Sequence, residues 1–228
     1  MSKTITRESL RKSKPSSMTR LGFLPRDAAW IKSHPTITLG RSLGSGCVGT
    51  VKEIKGNKDL VCKVARDYST PKNQRFAKRE LSNEANDYKR WHLNELPIFI
   101  PSRVIKVHAQ LGIIRPIVKM LVIYRHASNG TPSNLDKMVI ENKSLVTEPM
   151  LRQFKRDLEY LTHLGFKFVD GLQLGIDEAG RILMYDPGFL KKGKIDDEEA
   201  FDINEYHWLE FIKHFGKFSK DGKFIRRK

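Results

Sequence analysis

The stretch 172–188, LQLGIDEAGRILMYDPG, constrains this chain more than any other. Leu174 and Ile176 open an apolar run. Asp177-Glu178-Ala179-Gly180 has the composition of a tight turn, and residues 182–185 return as a second short strand. That strand runs into Asp186-Pro187-Gly188. A carboxylate delivered by a strand into a turn stands at the rim of a sheet. There it is a hard oxygen ligand of the kind Mg²⁺ takes together with substrate phosphates. Asp-Pro-Gly is equally the composition of an ordinary turn, so the residues upstream decide.

Sixteen residues before Asp186 stands Asp170, in LTHLGFKFVDG. Residues 147–164 read as a helix. Thr147 can cap it, Glu148 lies in the first turn, and Pro149 is tolerated there. Leu151, Phe154, Leu158 and Leu161 recur at helical spacing, and Gly165 ends the run. A helix, a loop with an aspartate, a hairpin and a second aspartate follow one another as in a protein-kinase catalytic lobe. The chain resembles the protein kinase superfamily here. Phe168-Val169-Asp170 stands where that family has His-Arg-Asp, and Asp186-Pro187-Gly188 where it has Asp-Phe-Gly.

The N-terminal half carries a second set of motifs. Residues 36–43 read as a strand, and Gly44-Ser45-Gly46-Cys47-Val48-Gly49-Thr50-Val51 matches G-x-G-x-x-G-x-V. Glycines there let backbone N–H groups approach phosphate oxygens. A dinucleotide-binding fingerprint should open a helix, whereas residues 51–54 read as another strand. Residues 60–65 form a third strand with one lysine, Lys63, among apolar neighbours. Such a lysine requires a charge partner. The resemblance implies that Lys63 contacts the α- and β-phosphates and pairs with a glutamate of the next helix, expected at 73–93. Glu80 and Glu84 are the candidates. Glu84 is the choice, because the aromatic Tyr88 follows it at i+4.

Residues 97–127 contain two apolar segments, suited to the fourth and fifth strands of the small lobe. Residues 120–127 resemble the last strand and the hinge, with Ile123 as gatekeeper and the backbone of Arg125 to Ala127 facing the adenine. The family also places a metal-binding asparagine five residues after the catalytic aspartate. Five after Asp170 is Gly175, which has no side chain. Counting back from Asp186 puts Gln173 in the asparagine's place, in a loop two residues shorter. Its amide oxygen could serve a hard cation.

Composition excludes some classes. Charged residues make up 30% and hydrophobic ones 39% of 228 residues, which suits one well-cored domain or two small lobes sharing a cleft. No apolar run approaches the ~20 residues of a membrane span, and no apolar signal-peptide region stands at the start. Cys47 and Cys62 make no disulfide framework, and no Cys/His cluster has zinc spacing. Residues 1–20 carry six basic and one acidic residue, and residues 213–228 seven and one, so the tails hold eleven of the sixteen net positive charges. The excess is terminal, which favours solvated ends over a nucleic-acid surface. Phe215, Phe218 and Phe224 interleave with the terminal cations, a pattern that fits either stacking on nucleic acid or a docked tail.

The expected fold is α+β, bilobal and protein-kinase-like. It has a five-stranded N-lobe with one main helix and a truncated, mostly helical C-lobe. Residues 1–35 are expected to be a mobile basic segment, with a short packed element within 21–35. Residues 36–127 form the N-lobe and hinge, 128–215 a minimal C-lobe, and 216–228 a basic aromatic tail. Beyond Gly188 the chain lacks the family's Ala-Pro-Glu signature and has one remaining helix, at 199–215. Small size, truncation and the basic, Ser-rich N-terminus resemble the minimal type III effector kinases of plant-associated bacteria. The nearest likeness is the family that phosphorylates the host ninety-kilodalton heat-shock chaperone.

The resemblance implies a secreted serine/threonine kinase acting in host cytoplasm, using ATP and Mg²⁺. Gly44, Ser45, Gly46, Cys47, Val48, Gly49, Val51 and Lys63 would hold the nucleotide. Asp170 would orient the acceptor hydroxyl, and Asp186 and Gln173 would hold the metal. The alternatives are a pseudokinase, a kinase-fold enzyme transferring AMP or acting on a small molecule, and a basic nucleic-acid-binding module.

Overall fold

Thr70 and Pro71 show how local chemistry sets the first long helix. The Thr70 hydroxyl accepts from the Asn73 N–H at 3.4 Å, Pro71 occupies the first turn, and the helix runs Pro71–Arg90. The computed structural model of the chain describes residues 22–125, 137–169, 172–187, 190–219 and 221–227. Residues 1–21, Ala127 with the rest of 126–136, Asp170 and Gly188 lie outside the described residues.

The upper lobe begins with α1 (Pro25–Ser33). Next come β1 (Leu39–Ser45), β2 (Gly49–Ile54), β3 (Asn57–Ala65), α2 (Pro71–Arg90), β4 (Arg103–Val107) and β5 (Gln110–Pro116). The five strands form one antiparallel sheet in the order β1-β2-β3-β5-β4. Alternation along β3 gives the sheet two different faces. Leu60, Cys62 and Val64 pack with Ile37, Ile54, Val107 and Ile114, and Ile31 of α1 covers them. Ala65 meets Ala77, Leu81 and Ala85 of α2 with Ile113. Each large aliphatic side chain buried this way contributes about 1.5–3 kcal/mol of transfer free energy. Residues 25–33, within the segment expected to be mobile, are therefore part of the folded lobe.

The lower lobe contains β6 (Lys119–Arg125), β7 (Lys137–Ile140), α3 (Glu148–His163), β8 (Phe166–Phe168), β9 (Leu174–Ile176) and β10 (Ile182–Met184). It continues with β11 (Leu190–Lys192), α4 (Glu198–Ile212), β12 (Gly216–Phe218) and β13 (Phe224–Arg226). A four-stranded sheet has the order β10-β9-β6-β7, while β8 pairs with β11 and β12 with β13. Leu151, Phe154, Leu158 and Leu161 of α3 pack with Trp208, Phe211 and Ile212 of α4 and with Leu174 and Met184 of the sheet. The architecture is α+β, with the five-stranded antiparallel sheet in one lobe and four α-helices among the described residues. None of them is long and apolar enough to cross a membrane.

One expectation requires correction. The apolar segment through Tyr124 does not stay in the upper sheet. β5 ends at Pro116, which stands opposite Leu60, and the Ile117 N–H adds a last bond to the Asp59 carbonyl at 2.9 Å. β6 then pairs with β9 and β7 of the lower sheet. Ile123 stands opposite Val139, and Arg125 opposite Lys137, so neither closes the upper sheet. The crossing between lobes is at 116–119, and apolar residues on both sides of it do not reveal that the hydrogen-bond partner changes. The tail follows the docked reading of its aromatic pattern. Phe215 is buried, and Phe218 stacks on Trp208 at 6.3 Å and meets Phe224 at 5.1 Å. Arg226 donates to the Val146 carbonyl at 2.9 Å. Phe215 belongs to the core, and the half-buried Phe218 and Phe224 pack against it.

Candidate active site

The glycine-rich stretch forms the β1–β2 hairpin. The Gly46 N–H donates to the Gly49 carbonyl at 2.9 Å, and Ser45 and Thr50 join their hydroxyls at 3.0 Å. Tyr68 donates to the Cys47 carbonyl at 2.5 Å and Arg66 to that of Gly46 at 3.0 Å. Val51 stands opposite Lys63 in the ladder. Glycine is required at position 49 for a steric reason. A Cβ there would lie 2.8 Å from Cε and 3.0 Å from Cγ of Lys63. The lysine stem passes directly beneath the loop.

Lys63 is 8% exposed and carries two ion pairs. Its Nζ donates to Glu84 Oε2 at 2.8 Å and to Asp186 Oδ2 at 3.0 Å. Glu84 lies within the buried stripe of α2, with Leu81, Ala85 and Tyr88 around it. Glu80, the other candidate, is engaged with Arg79 instead. The second Glu84 oxygen accepts from Arg115. Burial alone would raise the Glu84 pKa. The Arg115 charge and then Lys63, with hydrogen bonds from both, reverse this and hold the carboxyl well below its ordinary range. Burial would likewise lower the Lys63 ammonium, but Asp186 and Glu84 outweigh it and keep the group above its usual value. Two cations thus face two carboxylates, and the cluster is formally neutral.

The β9–β10 hairpin places the remaining groups. The Tyr185 N–H donates to the Gln173 carbonyl at 3.1 Å, so Gln173 lies across the ladder from the residue preceding Asp186. The Asp186 side chain is 28% exposed, less enclosed than Lys63 or Glu84. Ahead of Asp170 in the chain, the strand β8 is anchored from α4. Asn204 accepts from the Phe168 N–H at 3.1 Å and donates to the Phe166 carbonyl at 2.7 Å. Phe168 is buried and Val169 exposed. The lobe crossing packs on the same hairpin. A Cβ at Gly175 would lie 2.5 Å from Cγ2 of Val118.

The structure therefore brings Gly49, Lys63, Glu84 and Asp186 together, with Val51 opposite Lys63 in the ladder and the Gln173 backbone opposite Tyr185. Ile123 and Arg125 are in the lower sheet, and Asp170 and Ala127 are outside the described residues. Two residues escaped the sequence reading. Arg115 is a lone cation in an apolar strand, the same signal that singled out Lys63. Asn204 is a buried amide on an apolar helix face. A separate cavity of about 630 Å³ lies between α1, the crossing at 116–119 and the β9–β10 turn, and Lys63, Glu84 and Asp186 do not line it.

No protein-family model matches the chain, and no curated protein sequence matches it. Among solved structures, a Legionella pneumophila protein described as the Lpg2603 kinase bound to IP6 is similar at 16% identity and a TM-score of 0.41. The match covers 81% of this chain and 62% of that one, so the chain spans less than two thirds of that protein's length.

Proposed function

We propose that this chain is an ATP-dependent phosphotransferase that moves the γ-phosphoryl group to a serine or threonine hydroxyl of a protein. The observation that carries this reading is the convergence on Lys63. It leaves β3 beneath Gly49, pairs with Glu84 and reaches Asp186 on the opposite lobe. A buried ammonium held charged under a glycine hairpin is placed to meet phosphate oxygens. The oxygen donors suit a hard cation. Among the described residues no group of three or more His, Cys, Asp or Glu could hold a metal alone. Nucleotide phosphates would then complete the coordination, which is the manner of Mg²⁺. Asp186, with the amide oxygen of Gln173, would hold the ion, which when bound supplies charge neutralisation at the phosphate oxygens.

Lys63 orients the phosphates, and the backbone at 116–118, crossing beside Gly175, is the edge offered to a base. Asp170 orients the acceptor hydroxyl and takes its proton. Positioning and charge neutralisation then supply most of the acceleration. For the acceptor, the resemblance to minimal effector kinases supports a host protein, with the ninety-kilodalton heat-shock chaperone first among those to try. The test is incubation of the purified chain with γ-labelled ATP, Mg²⁺ and either that chaperone or a host lysate. Label on a serine or threonine that Asp186→Asn abolishes supports the reading. Label on the chaperone specifically supports the acceptor. Absence of any Mg²⁺-nucleotide binding would reject the phosphotransferase reading altogether.

A further inference from the structure

Arg115 is 5% exposed, and each end of its side chain is engaged. It lies on β5 opposite Val61, two residues before Lys63 in the ladder, and so stands where the upper sheet meets the cleft. Its Nε donates to the Ser102 hydroxyl at 2.8 Å. One terminal nitrogen donates to the Tyr185 carbonyl at 2.6 Å, and the other to Glu84. The guanidinium also lies over the Tyr88 ring, 5.3 Å from its centroid. These contacts close a circuit. Arg115 holds Glu84, Glu84 holds Lys63, and Lys63 holds Asp186. The peptide before Asp186 returns to Arg115 through Tyr185. Helix α2, strand β3, strand β5 and the end of β10 each supply one corner.

A Glu84 bound by Lys63 alone would hold the lysine with its whole charge. Sharing the carboxylate with a second, permanently charged cation leaves Lys63 freer to turn toward an incoming anion. A planar fork suits this task, since it can serve a carboxylate and a carbonyl at once in a way a lysine cannot. The bond to Tyr185 meanwhile fixes the backbone from which Asp186 projects. We propose that Arg115 is a positioning residue for phosphoryl transfer. It keeps the Glu84-bearing helix and the Asp186-bearing turn assembled in the resting protein, and it sets how well the site takes up the metal. The proposal rests on the phosphotransferase reading.

The test compares wild type with Arg115→Met and Ser102→Ala, each measured well below its own thermal midpoint. Arg115→Met removes the fork and leaves the stem. Ser102→Ala removes only the hydroxyl that receives Nε, and serves if the first variant does not fold. A misplacement on the order of 1 Å costs about 10²-fold in rate. Arg115→Met should therefore lower kcat about 30- to 100-fold and raise the Mg²⁺ concentration for half-maximal rate several-fold. The KM for ATP should change less than about 3-fold. Ser102→Ala should move the same two quantities in the same direction by smaller factors. A lowered thermal midpoint with kcat and Mg²⁺ dependence unchanged in folded protein would overturn the proposal and leave Arg115 as packing. If wild type transfers to no acceptor yet binds Mg²⁺-ADP in calorimetry, the acceptor is at fault, and weaker Mg²⁺-dependent binding by Arg115→Met supports the proposal. Equal binding by both would overturn it. If wild type binds no Mg²⁺-nucleotide, the phosphotransferase reading falls and takes the proposal with it.

Discussion

Phe99 and Met184 form a parallel bridge between the lobes. The Ile100 N–H donates to the Met184 carbonyl at 3.0 Å, and the Met184 N–H donates to that of Ile98 at 2.6 Å. The segment that leaves α2 is thus joined as a short strand to β10, two residues before Asp186. The Phe99 ring meets Tyr88 edge-on at 6.5 Å and Phe168 at 6.2 Å. An aromatic column therefore runs from the Glu84-bearing helix to the strand ahead of Asp170. Phe99 thus supplies the ring that joins α2 to β8.

Truncating that ring should be costly. Phe99→Ala removes a buried side chain at the junction of three elements and should destabilise by about 3–5 kcal/mol. Denaturant unfolding checks this. A loss well under 1 kcal/mol would mean that the column contributes little to holding the lobes together.

Lys63→Met and Asp186→Asn should each reduce phosphoryl transfer by at least about 100-fold while the fold persists. Glu84 retains Arg115 in the first variant, and Asp186 is partly exposed in the second. The checks are label transfer and a circular dichroism melt. Wild-type transfer by Asp186→Asn would remove the basis for placing the metal there.

Gly49→Ala tests the passage of Lys63 beneath the loop. The new methyl would meet Cε at 2.8 Å and the Val64 carbonyl at 3.2 Å, so either the hairpin or the lysine must shift. The expected result is a KM for ATP raised by roughly 5- to 20-fold with a smaller loss of kcat. Steady-state kinetics in ATP would show it, and unchanged kinetics would place the nucleotide elsewhere.

Two carboxyls should give stability profiles of opposite sign. Glu84 titrates in the fold below its ordinary value of 4.5. Its contribution is complete above that value and is lost as pH falls through the lower folded value. Glu84→Gln should therefore lower the thermal midpoint by roughly 5–10 °C at neutral pH, and the gap should narrow only below about pH 4.5. Asp157 is raised to about 6 because burial outweighs its bond from Gln153 and the nearby Arg156 and Arg181 charges. Its ionised form costs stability above about pH 6, and the cost disappears as pH falls toward 3.8. Asp157→Asn should raise the midpoint by roughly 2–4 °C at pH 8 and by nearly nothing at pH 4. Melts across pH 4 to 8 distinguish the two.

Gln173→Ala should raise the Mg²⁺ requirement and lower turnover, with less effect on nucleotide binding. The Gln173 backbone stands opposite Tyr185, the residue before Asp186, and the substitution removes the amide oxygen proposed as a ligand. Rate against Mg²⁺ concentration is the measurement, and an identical curve would leave the metal without this ligand.

Much of the cleft was legible because its residues violate local pattern. Lys63 interrupts an apolar strand, and Glu84 occupies the apolar stripe of α2. Gly44, Gly46 and Gly49 recur where two strands meet. Each signal lies within about ten residues, the span over which periodicity can be read. The crossing at 116–119 was not legible, because residues 113–124 are apolar on both sides of the change in sheet. Arg115 broke the pattern as plainly as Lys63, but its partners, Glu84, Ser102 and the Tyr185 carbonyl, come from three other elements. The rings of Phe218 and Phe224 needed Trp208, on a helix, before they could be read as packed against the core.

The placement of the two thiols gives the chain a built-in reporter position. Cys62 is sealed under α1, and burial pushes it up to about 12, so thiol reagents should pass it by. Cys47 is exposed at the tip of the glycine hairpin. A maleimide dye added to the unmodified protein should therefore mark one site, on the loop that would close over phosphates. Its emission would then register nucleotide arrival without any engineered cysteine.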